Sequence, residues 1–219
     1  MTKQIAIIDP FVKSPALHCF NQLVNNSGLR ATYHLPSLLG INSLMNEENS
    51  TLAYIVLGSA SHVHENLPWH RPLADFLVKQ LNLNKPVLGC CFGHQLICLA
   101  FGAQVEYYDP SELKLSGVRT MEILQNKWNF SMGESFTLGV THRQVVRNLP
   151  SVLQEIGRGL PNDIVIHKDL PFMGTQGHPE ASLEFCRNDI QKLTPDEVVA
   201  LQVGGNQLIH RFFKYFDLI

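Results

Sequence analysis

Apolar and polar positions along the chain fall into two periodicities, and their order predicts the architecture. Gln4–Ile8 and Ala53–Leu57 are near-continuous apolar runs of strand length, as expected for strands buried on both faces. Ala31–His34 is a plausible strand between them. Ala16–Val24 repeats its apolar residues at helical spacing, as do Leu73, Phe76, Leu77 and Leu81 after Pro72. The polar stretch Asn42–Ser50 reads as a short helix and loop. Val87-Leu88 is a brief buried strand behind Pro86, and Leu96, Ile97, Ala100 and Phe101 continue as a helix. Strand and helix therefore alternate through the first hundred residues, which predicts a parallel, doubly wound α/β sheet whose ligands gather at the strands' carboxyl ends. Gly58 and Cys91 both lie at such ends.

From Gln104 to His167 the texture changes. Leu113–Leu115, Arg119–Ile123, Ser135–Val140, Leu153–Gly157 and Asp163–His167 are short β-like runs separated by turn residues. They predict an antiparallel section, as hairpins or a small second sheet within the same domain. Phe172–Thr175 reads as a strand and Leu183–Gln191 as a helix. Thr194-Pro195-Asp196-Glu197 has capping-box spacing with proline at the first helical position. Leu208, Ile209, Phe212, Phe213 and Phe216 then form a stripe that docks the last helix on the sheet. Gly204-Gly205 is expected to break or kink that segment.

Composition narrows the function classes. The 219 residues allow one large domain, read as residues 1–219, and leave little room for a second catalytic one. Net charge is −2 and no Lys/Arg cluster stands out, so neither nucleic acid nor an anionic membrane is the expected partner. No stretch approaches the roughly 18 uninterrupted apolar residues of a membrane helix. The four apolar residues before Asp9 fall short of a secretory core of about seven or more. Five cysteines, an odd count without framework spacing, fit reduced thiols in a cytoplasm. Cys98 and Cys186 sit among apolar neighbours as small buried hydrophobes. His62, His64 and His70 lack the Cys, Asp or third-ligand spacing of a metal site. No phosphate-binding glycine loop is present, so neither metal nor cofactor is implied.

The chemistry concentrates in Lys85–Val105. Gly89 and Gly93 bracket Cys91 at two residues on either side, which a very sharp strand–turn–helix requires. This is a nucleophile elbow written with cysteine, beside a helix N-terminus that favours thiolate. A lone cysteine is more often buried than catalytic, and the glycine brackets weigh against that reading here. Gly89-Cys90-Cys91-Phe92-Gly93-His94-Gln95 closely resembles the G-x-C-x-G-x-Q signature of class I (triad) glutamine amidotransferases. Gln176-Gly177-His178-Pro179-Glu180 resembles the same family's Gln-x-His-Pro-Glu. The two stand in the family's order and at a separation that suits it. The resemblance covers most of the chain and is closest to the glutaminase domain of GMP synthase and its stand-alone relatives.

The resemblance implies a flavodoxin-like, mostly parallel central sheet with helices on both faces. It implies Cys91 as nucleophile, His178 as base and then acid, and Glu180 as the group that orients His178. Cys90, where the family has an aliphatic residue, is strand-end packing. The oxyanion hole would combine the backbone N–H groups of Phe92 and Ser59. Gly58, Gln95 and His142 are the positions expected to meet substrate. Departures stand at Ser59 and Ala60 (family Gly and Pro), at Gln144 (family acid) and at Gly177 (family aromatic). Three readings follow. One is hydrolysis of glutamine with ammonia passed to a separate synthetase subunit, and another is a stand-alone γ-glutamyl peptide or amide hydrolase. The third is a silent or partner-gated regulatory subunit.

Overall fold

The computed structural model describes residues 4–190 and 192–219. Its first half follows the predicted alternation: β1 (Gln4–Ile8), α1 (Leu17–Ser27), β2 (Ala31–His34), two short helices α2 (Pro36–Leu39) and α3 (Asn42–Glu47), then β3 (Thr51–Val56), α4 (His70–Asn82), β4 (Val87–Cys90) and α5 (Phe92–Ala100). A single 3₁₀ turn at Val63–Glu65 follows β3. The second half is β-rich: β5 (Gln104–Tyr107), β6 (Leu115–Ile123), β7 (Ser135–His142), β8 (Gln144–Arg147), β9 (Leu153–Arg158), β10 (Ile164–His167) and β11 (Phe172–Thr175), closed by α6 (Leu183–Asp189) and α7 (Pro195–Tyr215). The expected helix end at Gln191 lies outside the described residues.

One nine-stranded sheet runs β2-β1-β3-β4-β11-β10-β9-β6-β7. Its first five strands are parallel. From β10 onward every pairing is antiparallel. The antiparallel runs therefore extend the main sheet, and the small second sheet is a different pair, β5 with β8. This is a single α/β domain with a mixed sheet.

Strand alternation sorts the core onto the sheet's two faces. Ile5 and Ile7 of β1 pack with Cys19 and Leu23 of α1 and with Leu208 and Phe212 of α7. Ala6 and Ile8 point the other way, toward Leu73 and Leu77 of α4 and Leu96 and Ile97 of α5.

α7 departs from the sequence expectation. Gly204 and Gly205 neither break nor kink it, since Pro195–Tyr215 is one helix. Thr194 caps it, with Thr194 and Glu197 forming the reciprocal capping box. The glycines serve close approach instead. A Cβ on Gly204 would lie 2.2 Å from the Thr137 carbonyl oxygen of β7, and one on Gly205 would lie 2.4 Å from the Pro179 carbonyl oxygen. Helix backbone thus rests directly on the edge strand and on the turn that carries His178 and Glu180.

Alanine at Gly204 gains up to about 1 kcal/mol of helix propensity. It also collides with backbone that cannot move aside, and overpacking of that kind costs about 1–3 kcal/mol. The Gly204→Ala variant is therefore expected to be less stable than the parent in urea unfolding, despite its better helix former.

Candidate active site

Three strand ends build the site. Cys91 stands between β4 and α5 with φ +47° and ψ −97°, a left-handed backbone that costs a non-glycine residue about 1–3 kcal/mol. Its surroundings impose that conformation. The Cys91 N–H donates to the Thr175 carbonyl at the end of β11 (2.8 Å), and its own carbonyl accepts from the Gln95 N–H (3.0 Å). A Cβ on Gly89 would sit 2.7 Å from the Gly93 carbonyl carbon, and one on Gly93 would sit 2.6 Å from the Val56 carbonyl oxygen. Both brackets are therefore glycine because backbone lies against backbone there.

His178 and Glu180 come from the turn after β11. The His178 N–H donates to the Gly139 carbonyl of β7 (2.8 Å), which fixes the turn to the neighbouring edge of the sheet. The His178 ring packs on Phe185 of α6, with centroids 4.7 Å apart. Its Nδ1 bonds Glu180 Oε1 at 2.9 Å, and both side chains are buried. A Cβ on Gly58, at the end of β3, would lie 2.5 Å from His178 Cε1 and 3.6 Å from Cys91 Cβ. Gly58 is thus the floor on which the imidazole and the cysteine meet. With Nδ1 held by Glu180, Nε2 is the nitrogen left free; it is buried and makes no hydrogen bond among the described residues.

Charge follows from this geometry. Burial alone would push the His178 imidazole down. The Glu180 carboxylate, with Cys91 behind it, overcomes burial and raises it to about 10. Burial, reinforced by Glu180, pushes the Cys90 and Cys19 thiols up. Cys90 is fully buried in β4, as expected for a packing residue.

Of the remaining predicted positions, Gly58, Ser59, Gln95 and His142 line the same cleft of about 330 Å³ as Cys91 and His178, and Phe92 is buried behind it. Ser59 turns its hydroxyl aside: its Oγ accepts from the Ser61 N–H (3.1 Å), which pins the loop after β3. Among the described residues, neither the Ser59 nor the Phe92 backbone N–H is hydrogen-bonded. Gln95 Nε2 donates to the Gln144 carbonyl (2.9 Å) and to Gln176 Oε1 (3.2 Å), so its own amide oxygen is the group it can offer a ligand. At Gly177 a side chain has no room. A Cβ would lie 2.8 Å from Leu138 Cβ and 3.1 Å from Met121 Cε, so core residues fill the space an aromatic would need.

Other participants escape sequence reasoning. Asp9, at the end of β1, is buried in the cleft wall and accepts from the Ala16 N–H (2.6 Å) and the Tyr33 hydroxyl; burial raises its carboxyl. Arg119 of β6 pairs with buried Asp163 at 2.9 Å and donates to His142 Nε2 at 3.2 Å. His142 Nδ1 in turn donates to the Gln144 carbonyl at 3.0 Å. An arginine and an aspartate far apart in sequence carry no pattern that would couple them. Of the histidines without metal spacing, His64 Nε2 bonds the Val105 carbonyl and His70 packs against Trp69 and Phe92.

Comparisons with known proteins identify the family and the fold. The class I glutamine amidotransferase family profile matches residues 47–192, more than half of the chain. A glutamine-hydrolyzing GMP synthase subunit of Methanocaldococcus jannaschii is 30% identical over 114 residues, 51% of this chain and 60% of that protein. Gamma-glutamyl peptidase 4 of Arabidopsis thaliana is 28% identical over 146 residues, 64% of this chain and 58% of that protein. The matched stretch thus spans about three fifths of each of these relatives. The crystal structure of a glutamine amido transferase from Methylobacillus flagellatus superimposes with a TM-score of 0.73 at 18% identity, covering 98% of this chain and 96% of that one; at this identity the likeness concerns the fold. Among the described residues no helix is long and apolar enough to cross a membrane.

A pH prediction follows from His142. Burial, with Arg119 next, lowers this imidazole to about 3. Below its ordinary value of 6.5 the unfolded chain binds a proton that the folded chain refuses, so stability falls as pH falls through that window. The parent should lose roughly 2 kcal/mol more than His142→Gln between pH 7 and pH 4.5, read by urea unfolding at both values. The profile match, the fold and the arrangement of strand ends together establish that the chain belongs to the class I glutamine amidotransferase family.

Proposed function

We propose that the protein hydrolyses the side-chain amide of glutamine through Cys91, His178 and Glu180. The observation that carries this reading is the His178 imidazole, tied to Glu180 through Nδ1 and left with a free buried Nε2 beside a cysteine on a strained elbow. A charged imidazole beside a thiol favours the thiolate–imidazolium pair, which is the activated form of a cysteine nucleophile.

The thiolate attacks the γ-carbonyl carbon of glutamine, and the electron pair moves onto the carbonyl oxygen. The unengaged N–H groups of Phe92 and Ser59 stabilise that oxyanion. His178 delivers its proton to the departing nitrogen, and the collapsing intermediate releases ammonia and leaves a γ-glutamyl thioester. Water, deprotonated by His178, then attacks the thioester to give glutamate and the free thiolate. Gln95 accepts from the substrate's α-ammonium through its amide oxygen, while Gly58 lets the substrate carbonyl approach without a Cβ in the way. Glu180 holds the imidazole in the tautomer that turns Nε2 to the sulfur.

The relatives' names bear on where the ammonia goes. The archaeal relative is by name one subunit of a GMP synthase. On this reading a separate synthetase takes up the ammonia, in a reducing, cytoplasmic compartment where all five free cysteines stay thiols. A second reading has its own support. Exposed Lys13, Lys114 and Arg143 stand at the cleft mouth, where a carboxylate on the leaving side of a γ-glutamyl dipeptide would sit, and a γ-glutamyl peptidase is among the relatives.

Ammonia release from glutamine, measured beside amino-acid release from γ-glutamyl dipeptides, separates the two. Cys91→Ala should abolish both activities, and Glu180→Gln should lower kcat about 10²–10⁴-fold with little change in KM. Peptide mapping after brief alkylation should find label on Cys91 and none on Cys90. Label on Cys90 with Cys91 spared would overturn the assignment.

A further inference from the structure

The last link in the site's polar network is a residue to which no role has yet been given. Gln176 is the first residue beyond β11 and is 1% exposed. Its backbone N–H donates to the Asp163 carbonyl (2.8 Å), and the preceding carbonyl, Thr175, holds the Cys91 N–H. The Gln176 backbone is therefore fixed against the elbow itself. Its side-chain Nε2 lies 3.5 Å from Cys91 Sγ, and its Oε1 accepts from Gln95 Nε2 at 3.2 Å. The second contact settles the orientation of the amide. An oxygen must face the Gln95 donor, so an N–H faces the sulfur.

From these contacts we infer that Gln176 is a positioning residue for the Cys91 thiolate, donating an N–H to the sulfur and holding it in place for attack. This rests on the assignment of Cys91 as the nucleophile. An N–H donated to an ion is about twice as strong as one donated to a neutral acceptor, so the contact favours the thiolate over the thiol. The donor is also unusually well fixed. Gln95 grips Gln176 and is itself held by the Gln144 carbonyl, which accepts as well from His142, against which Arg119 and Asp163 are packed. A chain of hydrogen bonds thus runs from a buried ion pair to the nucleophilic sulfur.

Other groups act on the same sulfur. His178, from the turn after β11, and Cys90, from its own strand, interact with it, and the cleft around it is also lined by Glu180, Asp9, Cys19, His142, His18, His62, Asp189, Lys13, Lys114 and Arg143. Gln176, unlike these titratable groups, contributes a neutral donor that stays available at every pH. Its effect is therefore expected wherever His178 keeps its charge, and is separable from that of His178.

The test uses the full chain and measures the rate of Cys91 alkylation by iodoacetamide from pH 5 to pH 9, with label located by peptide mapping. Gln176→Leu removes the donor at similar volume, and Gln176→Glu replaces it with an acceptor carrying negative charge. Both profiles should move toward higher pH, Gln176→Glu further, with the Gln176→Leu rate about tenfold below the parent near pH 6, one unit of displacement. Glutamine turnover by Gln176→Leu should fall in kcat more than in KM. Thermal unfolding of each variant checks that it is folded. Gln176→Glu is near-isosteric and guards against collapse of the leucine variant. Selective Cys91 labelling with superimposable profiles in folded parent and variants overturns the inference while leaving the proposed function standing. Failure of the parent to label Cys91 at all would instead count against the proposed function.

Discussion

Backbone-to-backbone contact at the end of β4 is the constraint on which the rest of the site depends. Gly89 touches Gly93 and Gly93 touches Val56 at distances that no Cβ tolerates, so α5 starts against the sheet rather than beyond it. The chain has a single residue in which to reverse, and that residue is Cys91, held at φ +47°. Strain of about 1–3 kcal/mol persists only where the surroundings over-determine it. Here the glycine contacts are joined by hydrogen bonds on both sides of the residue, to Thr175 and from Gln95. The same contacts place the sulfur at the carboxyl edge of the sheet, where β3, β4 and β11 deliver Gly58, Cys91 and His178 to one point.

The close-approach device recurs at a distance. Gly204 and Gly205 let α7 rest on Thr137 and Pro179, and the Pro179 turn carries His178 and Glu180. A helix laid directly on that turn limits how far it can relax, and the Gly139–His178 bridge holds its other side. The antiparallel half of the sheet, which contributes neither of the two signature motifs, thereby supplies their support. β6 and β7 bring Arg119 and His142 to the network behind Gln95, and β7 anchors His178 through its backbone.

How far the sequence discloses this arrangement varies with the range of the interaction. Patterns within one element were legible: the buried strands β1, β3 and β4, the capping box at Thr194, the glycine brackets around Cys91. Gln-x-His-Pro-Glu pointed to His178 and Glu180 because their spacing is local as well. Pairing between elements was not legible in the same way. The β-like runs from Leu113 to His167 could have formed a separate sheet, and only the β11–β10 and β9–β6 ladders show that they extend the main one. Gly204-Gly205 misled because helix propensity is a weak local term, whereas the Thr137 and Pro179 backbone that requires glycine lies far away in sequence. Asp9 and the Arg119–Asp163 pair carried no signal because a buried partner, not a spacing, defines them.

The buried Glu180 carboxylate acts on two thiols and on one imidazole. Cys19 and Cys90 are both pushed toward the neutral thiol, by burial first and by Glu180 second. His178, by contrast, is raised to about 10 by the same carboxylate that opposes ionisation of Cys19 and Cys90. A single negative charge thus acts in opposite senses on the two thiols, which it pushes up toward the neutral form, and on the imidazole, whose charged form it favours. Cys91, not Cys90, carries the reversed backbone and the contact with the Gln176 amide. On the proposed reading Cys91 rather than Cys90 is the reacting thiol, because backbone shape sets Cys91 in the cleft wall while Cys90 is fully buried in β4.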